Sequence, residues 1–358
     1  MEQSQNQNAL DDREVFGRVD KNEMLSLIEK LPQMLEEGWA AAEGTPIRGP
    51  EKIGGLVISG MGGSAISGDI AATLLRGIAK FPVSVNRNYT LPAFVGKDTL
   101  LITLSYSGNT EETISSFKEA LSRGASIISV TSGGEIAELC AKNKIPVIRI
   151  PKGLPPRAAL GYLLSPVLYI LYKLGIAPEM KNDLESAVKL LKQLAKKRGQ
   201  SSPLRDNEVK QLAVKLSGKL PVLAGSDGTT GVAALRWKTQ FNENSKETVV
   251  YAVFPELNHN DMVNFSFLKP GQHSYCMVLL RDEGDIERMK KRIEITKSLV
   301  SGYVGGITEV WSQGDSMLER LMSLIQFGDL LSVYIAILKG IDPTPVDIIE
   351  KLKKELQR

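Results

Sequence analysis

Residues 105–113 read SYSGNTEET and close an apolar run, Leu100 to Leu104, of the kind that forms a buried strand. Three hydroxyls, Ser105, Ser107 and Thr110, fall on one strand-to-helix turn in which Gly108 supplies conformational freedom, and no lysine of the Walker kind stands nearby. Neutral donors together with the free amides of a helix start suit a terminal sugar phosphate that must be held and released. A nucleoside triphosphate usually calls for a lysine and a metal. The plainer alternative is a Ser/Thr-rich helix cap. Upstream, GMGGSAISG at 60–68 also follows a strand-like run and precedes a helical pattern. Its glycines let the backbone approach an anion, with Gly62, Gly63 and Ser64 at the turn, but the full Rossmann spacing is absent. Alone, this loop fits a phosphate, a dinucleotide or a tight turn.

Titratable candidates lie further along. Glu243, in FNENSK (241–246), follows an apolar-then-basic helical pattern between Asn242 and Asn244, which suggests a helix end more than a charge run. His259, in PELNHND (255–261), sits in a loop marked by Pro255 and Asn258. Its near-neutral titration suits reversible proton exchange, although a loop histidine bonded to backbone is the ordinary reading. His273, the other of the two histidines, precedes a strand and reads as structural. Arg157, in PPRAALGY, fits either an anion or a surface ion pair. Lys353 lies in the terminal helical pattern beside Lys351 and Lys354. With two histidines and neither CxxC nor HExxH, no metal ligand set is visible, so no metal and no cofactor are expected.

The elements that must carry these residues are legible as strands LVIS (56–59), VSV (83–85), LLITLS (100–105), SIISV (126–130) and PVIRI (146–150), alternating with helical patterns. That alternation predicts a parallel sheet with crossover helices. An internal repeat extends it. Val57, Gly60, Gly63 and Ser64 meet Val222, Gly225, Gly228 and Thr229 at an offset of 165, and the helix around Leu163–Pro178 matches Leu330–Pro343. The stretch Lys21–Trp39 predicts an amphipathic helix broken at Pro32, and Lys181–Gly199 predicts a solvated linking helix with Leu184, Val188, Leu191 and Leu194 on one face. Residues 1–12 read as frayed. At the far end, Val346, Ile349 and Leu352 predict a terminal helix pinned to the body.

With 358 residues, 42% hydrophobic and 24% charged, the chain predicts a soluble globular protein of two domains. A formal charge of +3 is too small for a surface built to neutralise nucleic acid. Cys140 and Cys276 allow at most one bridge, which fits a reducing compartment. The start lacks the pattern of a secretory signal, and the uncharged apolar run from Ala158 to Tyr172 is shorter than the ~20 residues of a membrane span and holds Pro166. A cytoplasmic protein without nucleic-acid or membrane partners is the expectation.

The SxSGxTxET stretch resembles the phosphosugar-binding signature of the sugar isomerase (SIS) superfamily. Together with GMGGSA, PRAALGY, FNENSK and ELNHND it makes nearly the whole chain similar to the bifunctional phosphoglucose/phosphomannose isomerases. The resemblance implies an α/β fold of two SIS-like domains, each a parallel sheet flanked by helices, with a C-terminal helical tail. The implied division is an N-terminal helical segment (1–50), a first SIS domain that binds the phosphosugar (51–180), a linking helix (181–205), a second SIS domain (206–342) and a tail helix (343–358). It implies metal-independent interconversion of glucose 6-phosphate, and of mannose 6-phosphate, with fructose 6-phosphate through an enediolate. In this reading Gly62, Gly63, Ser64, Ser105, Ser107 and Thr110 bind phosphate. Glu243 is the base that moves the proton between C1 and C2, and His259 opens the ring. Lys353 stabilises the developing enediolate or assists ring opening, and Arg157 supports the phosphate or the enediolate. It also implies a homodimer in which His259 serves the other subunit's site. Some relatives carry a threonine seven residues before the tail lysine where this chain has Val346, with Thr344 two residues earlier, so the hydroxyl that would touch the substrate there is missing from that position. The second glycine loop, GSDGTTG (225–231), lacks an SxSGxT partner and is expected to shape the site's rim. Competing readings are a non-catalytic sugar-phosphate sensor, which would not need Glu243, His259 and Lys353, and an aminosugar-phosphate isomerase.

Overall fold

The computed structural model describes residues 9–267 and 275–356; the polar opening through residue 8 and His273 lie outside the described residues. Helix α1 (Arg13–Val19) is capped by the Asp12 carboxylate, and α2 (Met24–Glu29) follows. The expected fraying through residue 12 is corrected at its inner end. Leu10 is fully buried, and Asp11 accepts from Leu204 N and from Lys210 Nζ at 3.0 Å. The helix break also moves, because α3 (Leu31–Glu43) holds Pro32 in its first turn, where a missing N–H costs no ladder bond.

The chain divides into two compact units, one of Lys30–Lys192 with Gln313–Met322, the other of Met1–Glu29, Gln193–Ser312 and Ser323–Arg358. After α3 the first unit runs β1 (Gly55–Gly60), α4 (Gly62–Leu75), β2 (Val83–Asn86), β3 (Thr99–Ser105), α5 (Glu111–Ser122), β4 (Ser126–Thr131), α6 (Gly134–Asn143), β5 (Val147–Arg149) and α7 (Leu160–Lys173). The strands pair in parallel in the order β2-β1-β3-β4-β5. Leu56, Val57 and Ile58 on β1 and Leu100, Leu101 and Ile102 on β3 are fully buried, as continuous apolar runs must be when helices cover both faces. Pro166 does not interrupt α7. Leu163, Leu164, Val167 and Leu168 around it are fully buried, and that burial outweighs one lost ladder bond. Helices α3 and α7 pack through glycines, since a Cβ on Gly161 would lie 2.6 Å from that of Met34.

Helix α8 (Met180–Arg198) leads into the second unit with Leu184, Val188, Leu191 and Leu194 all buried. Next come α9 (Glu208–Leu216), capped by Asn207, then β6 (Leu220–Ser226) and α10 (Gly231–Gln240), whose last turn widens into a π-helix over Phe241–Ser245. Then follow β7 (Val250–Phe254), a 3₁₀ turn (Glu256–His259), α11 (Asp261–Ser266), β8 (Tyr275–Arg281), α12 (Glu287–Val300), β9 (Ile307–Trp311), α13 (Met317–Lys339) and α14 (Asp347–Leu356). The strands are again parallel, in the order β7-β6-β8-β9, which repeats the first unit's β2-β1-β3-β4. Helix α13 is long and apolar enough to cross a membrane by length and composition, yet its most apolar 18-residue window is wholly buried inside the protein. The pinned tail is a correction. No residue of α14 is buried, and Ile348, Ile349, Leu352 and Leu356 are exposed along one helix face that the chain itself does not cover.

Candidate active site

Parallel α/β sheets offer their ligand crevice beyond the carboxyl ends of the strands, and both candidate loops of the first unit open there. At the end of β3, Ser105 Oγ accepts from Gly108 N at 3.1 Å and donates to Thr110 Oγ1 at 3.0 Å. Ser107 is exposed and accepts from Asn109 N at 3.2 Å, which leaves its own proton to point outward. Thr110 occupies the N-cap of α5 but its hydroxyl makes no capping bond, so these side chains are not consumed as a helix cap. Gly108 is required twice over. Its φ is +75°, and a Cβ there would lie 1.8 Å from Gly133 O.

The β1–α4 loop closes on the other side. A Cβ on Gly63 would come within 2.9 Å of Arg157 Cα and 3.0 Å of Arg157 N, so the bare glycine lets this loop lie against the Pro156–Ala158 turn. Arg157 itself is buried, as is Ser64. Gly62 is exposed at φ +48°, and a Cβ built there meets nothing within 4 Å. The sequence reading passed over the loop after β4, although its TSGG run was visible at 131–134. Ser132 donates to Tyr106 O from both its amide and its hydroxyl, and Asn109 Oδ1 accepts from Glu135 N at 3.0 Å, so this loop fixes the hydroxyl turn from behind.

In the second unit, Glu243 rides the π-turn that ends α10 and is half-exposed. Asn244 Nδ2 donates to Ser332 Oγ at 2.9 Å and Ser245 Oγ donates to Ser332 O at 2.9 Å, all buried against α13. Further back, Arg236 makes a two-pronged ion pair with Asp329 at 2.9 and 2.8 Å, and Trp237 Nε1 donates to Leu324 O. Lys246 then turns the chain at φ +53°, and its ammonium donates to Glu243 O at 2.7 Å and to Pro343 O at 2.9 Å. The Glu243 turn is thereby tied to the root of the tail that carries Lys353. Lys353 is exposed on α14. His259 is exposed at the end of its 3₁₀ turn, beside Asn258, whose side-chain amide donates to Thr296 Oγ1 at 2.7 Å and accepts from Arg292. Single π-turns inserted in α-helices recur at functional positions, and no spacing rule would have disclosed this one. Among the described residues, no three His, Cys, Asp or Glu side chains group as a metal site.

Two family models match these regions: the SIS domain over residues 52–149 and the bacterial phospho-glucose isomerase C-terminal SIS domain over 205–356. The fold and the two loops thus define a SIS-type sugar isomerase. A bifunctional phosphoglucose/phosphomannose isomerase of Caldicellulosiruptor bescii is 42% identical over 93% of this chain and 98% of its own, and one of Aquifex aeolicus is 35% identical over 94% and 99%. The chain belongs to the bifunctional phosphoglucose/phosphomannose isomerase family. A glucose-6-phosphate isomerase like protein of Thermus thermophilus shares the fold, with a TM-score of 0.62 at 21% identity, covering 96% of this chain and 98% of that one.

Proposed function

We propose that this enzyme interconverts glucose 6-phosphate and mannose 6-phosphate with fructose 6-phosphate by metal-independent proton transfer through an enediolate. The names of the relatives supply the substrates, and the observation that carries the chemistry is Glu243 on its braced π-turn. A base that serves both C1 and C2 must keep its position while the proton crosses, and the bonds of Asn244 and Ser245 to Ser332 and of Lys246 to Glu243 O, which fix the backbone beneath Glu243, support that role. The first SIS domain, residues 51–180, binds the phosphate through Gly62, Gly63, Ser64, Ser105, Ser107 and Thr110. The second, 206–342, with the tail helix at 343–358, supplies proton transfer, and 1–50 and 181–205 are supporting helices. His259 opens the ring, and Lys353 with Arg157 stabilises the enediolate.

The working form in this reading is a homodimer, with His259 of one copy serving the site that holds Glu243 of the other. What supports it is the exposure of His259 and the uncovered apolar stripe of α14, a surface that a folded chain rarely leaves to water. The test is conversion of fructose 6-phosphate by the purified chain, with glucose 6-phosphate and mannose 6-phosphate measured separately. Glu243→Gln should lower kcat by roughly 10² to 10⁴ while sugar-phosphate binding persists, the range for losing a positioned base. Retention of near-wild-type kcat would remove Glu243 from the mechanism. Formation of glucose 6-phosphate alone would confine the activity to one epimer.

A further inference from the structure

The two sheets align residue by residue. Val57 pairs with Leu101 across β1 and β3, and its repeat counterpart Val222 pairs with Met277 across β6 and β8. Leu101 therefore corresponds to Met277, and the turn after β3 corresponds to the turn after β8. Gly108 falls on Gly284, Asn109 on Asp285 and Thr110 on Ile286, and the helices that follow both open on a glutamate, Glu111 and Glu287. In the companion loop Ser64 falls on Thr229. The second unit has thus kept the geometry of the crevice and changed the residues in it.

What fills that crevice is a side chain of the protein. Asp285 is buried, and its two oxygens accept from Ser226 Oγ at 2.8 Å and from Thr229 Oγ1 at 2.7 Å. Both donors are neutral hydroxyls, one at the end of β6 and one in the loop that follows it, which is the chemistry assigned to the first unit's phosphate loops. Arg281, the nearby cation, donates to Glu294 and Glu309, and its charge also helps hold the Asp285 carboxyl down. Burial pushes the Asp285 carboxyl above its ordinary range, and the two hydroxyls pull it back. In the same turn Asp282 and Glu283 stand where the first unit has Tyr106 and Ser107, and Asp282 is held by Gly284 N and Ser312 Oγ. An entering phosphate would meet these charges in addition to the occupant.

We propose that Asp285 is the resident anion of the second unit's cradle, closing it so that each chain offers one sugar-phosphate site and not two. The inference rests on reading the first unit's loops as a phosphate cradle. It accounts for a repeat whose backbone register is preserved while Ser105, Ser107 and Thr110 give way to Arg281, Glu283 and Ile286 and an acid, Asp285, stands in the place of Asn109, and it gives Ser226 and Thr229 a buried acceptor.

The test is calorimetric titration with inorganic phosphate at low salt. The wild type should bind one phosphate per chain. Asp285→Ser should bind a second, at least tenfold more weakly because Asp282 remains, and adding Ser226→Ala and Thr229→Ala to that variant should abolish the second event. Two phosphates per wild-type chain, or one per folded Asp285→Ser chain, overturns the proposal. Ser107→Ala with Thr110→Ala reports separately on the first unit: an undiminished wild-type event there defeats the phosphate-cradle reading itself and leaves the Asp285 result to be judged by its own variant. Should Asp285→Ser fail to fold in chloride, refolding is compared in phosphate. Recovery there supports a vacated anion site, and equal failure in both salts counts against it.

Discussion

At the scale of single residues, the proposed phosphate loop would separate binding from catalysis. The phosphate lies away from the carbons that exchange a proton, and its charge hardly changes on the way to the transition state, so a hydroxyl that holds it contributes uniformly to both states. Ser107→Ala and Thr110→Ala should each raise KM roughly tenfold or more, the effect of one hydrogen bond to a charged group, with kcat nearly unchanged. A fall in kcat at constant KM would move these hydroxyls from the phosphate to the reacting carbons. The cradle residues were legible in the sequence because hydroxyls, a glycine and a strand end fall within a few positions of one another. Glu243, His259 and Lys353 were not legible in that way: each is an ordinary residue until the resemblance singles it out, and what distinguishes Glu243 physically, a π-turn clamped by Ser332 across 87 or more positions of chain, is a long-range property.

At the scale of elements, the five strands of the first unit are legible almost to the residue, since an uninterrupted apolar run buried on both faces leaves one local solution, whereas β7, β8 and β9 carry no strand expectation of their own. Helix ends were read less well, because tertiary packing decides them: the break expected at Pro32 falls before Leu31, and the stripe of α14 faces no part of its own chain. The α3–α7 pair shows how such packing can be tested. Tyr162 on α7 donates to the Glu37 carboxylate on α3. Burial first, and then Glu37, push the Tyr162 hydroxyl up to about 12 from an ordinary 10.0, while that hydroxyl holds Glu37 below its usual range. The sign follows from linkage. The folded chain keeps this proton where the unfolded chain loses it, so the contribution is complete below pH 10 and is lost as pH rises towards about 12. Tyr162→Phe should be less stable than the wild type at neutral pH, and the gap in Tm should narrow between pH 10 and about 12. A constant gap across that window would show that the pair does not set the tyrosine's proton affinity.

At the scale of the whole molecule, the proposed function divides labour across the repeat: one unit would hold the phosphate on its hydroxyl turn, and the other, with Asp285 bonded to Ser226 and Thr229 in the matching place, carries Glu243 and the tail. A dimer that shares His259 makes a quantitative prediction from two inactive parents. Glu243→Gln and His259→Ala chains, unfolded together in equal amounts and refolded, give about half mixed dimers by random pairing. In a mixed dimer with shared sites, one site collects both lesions and the other collects neither. About a quarter of all sites should then regain wild-type activity, far above either parent. If each His259 serves the site of its own chain, every site in every dimer carries one lesion. The refolded mixture should in that case be no more active than its parents.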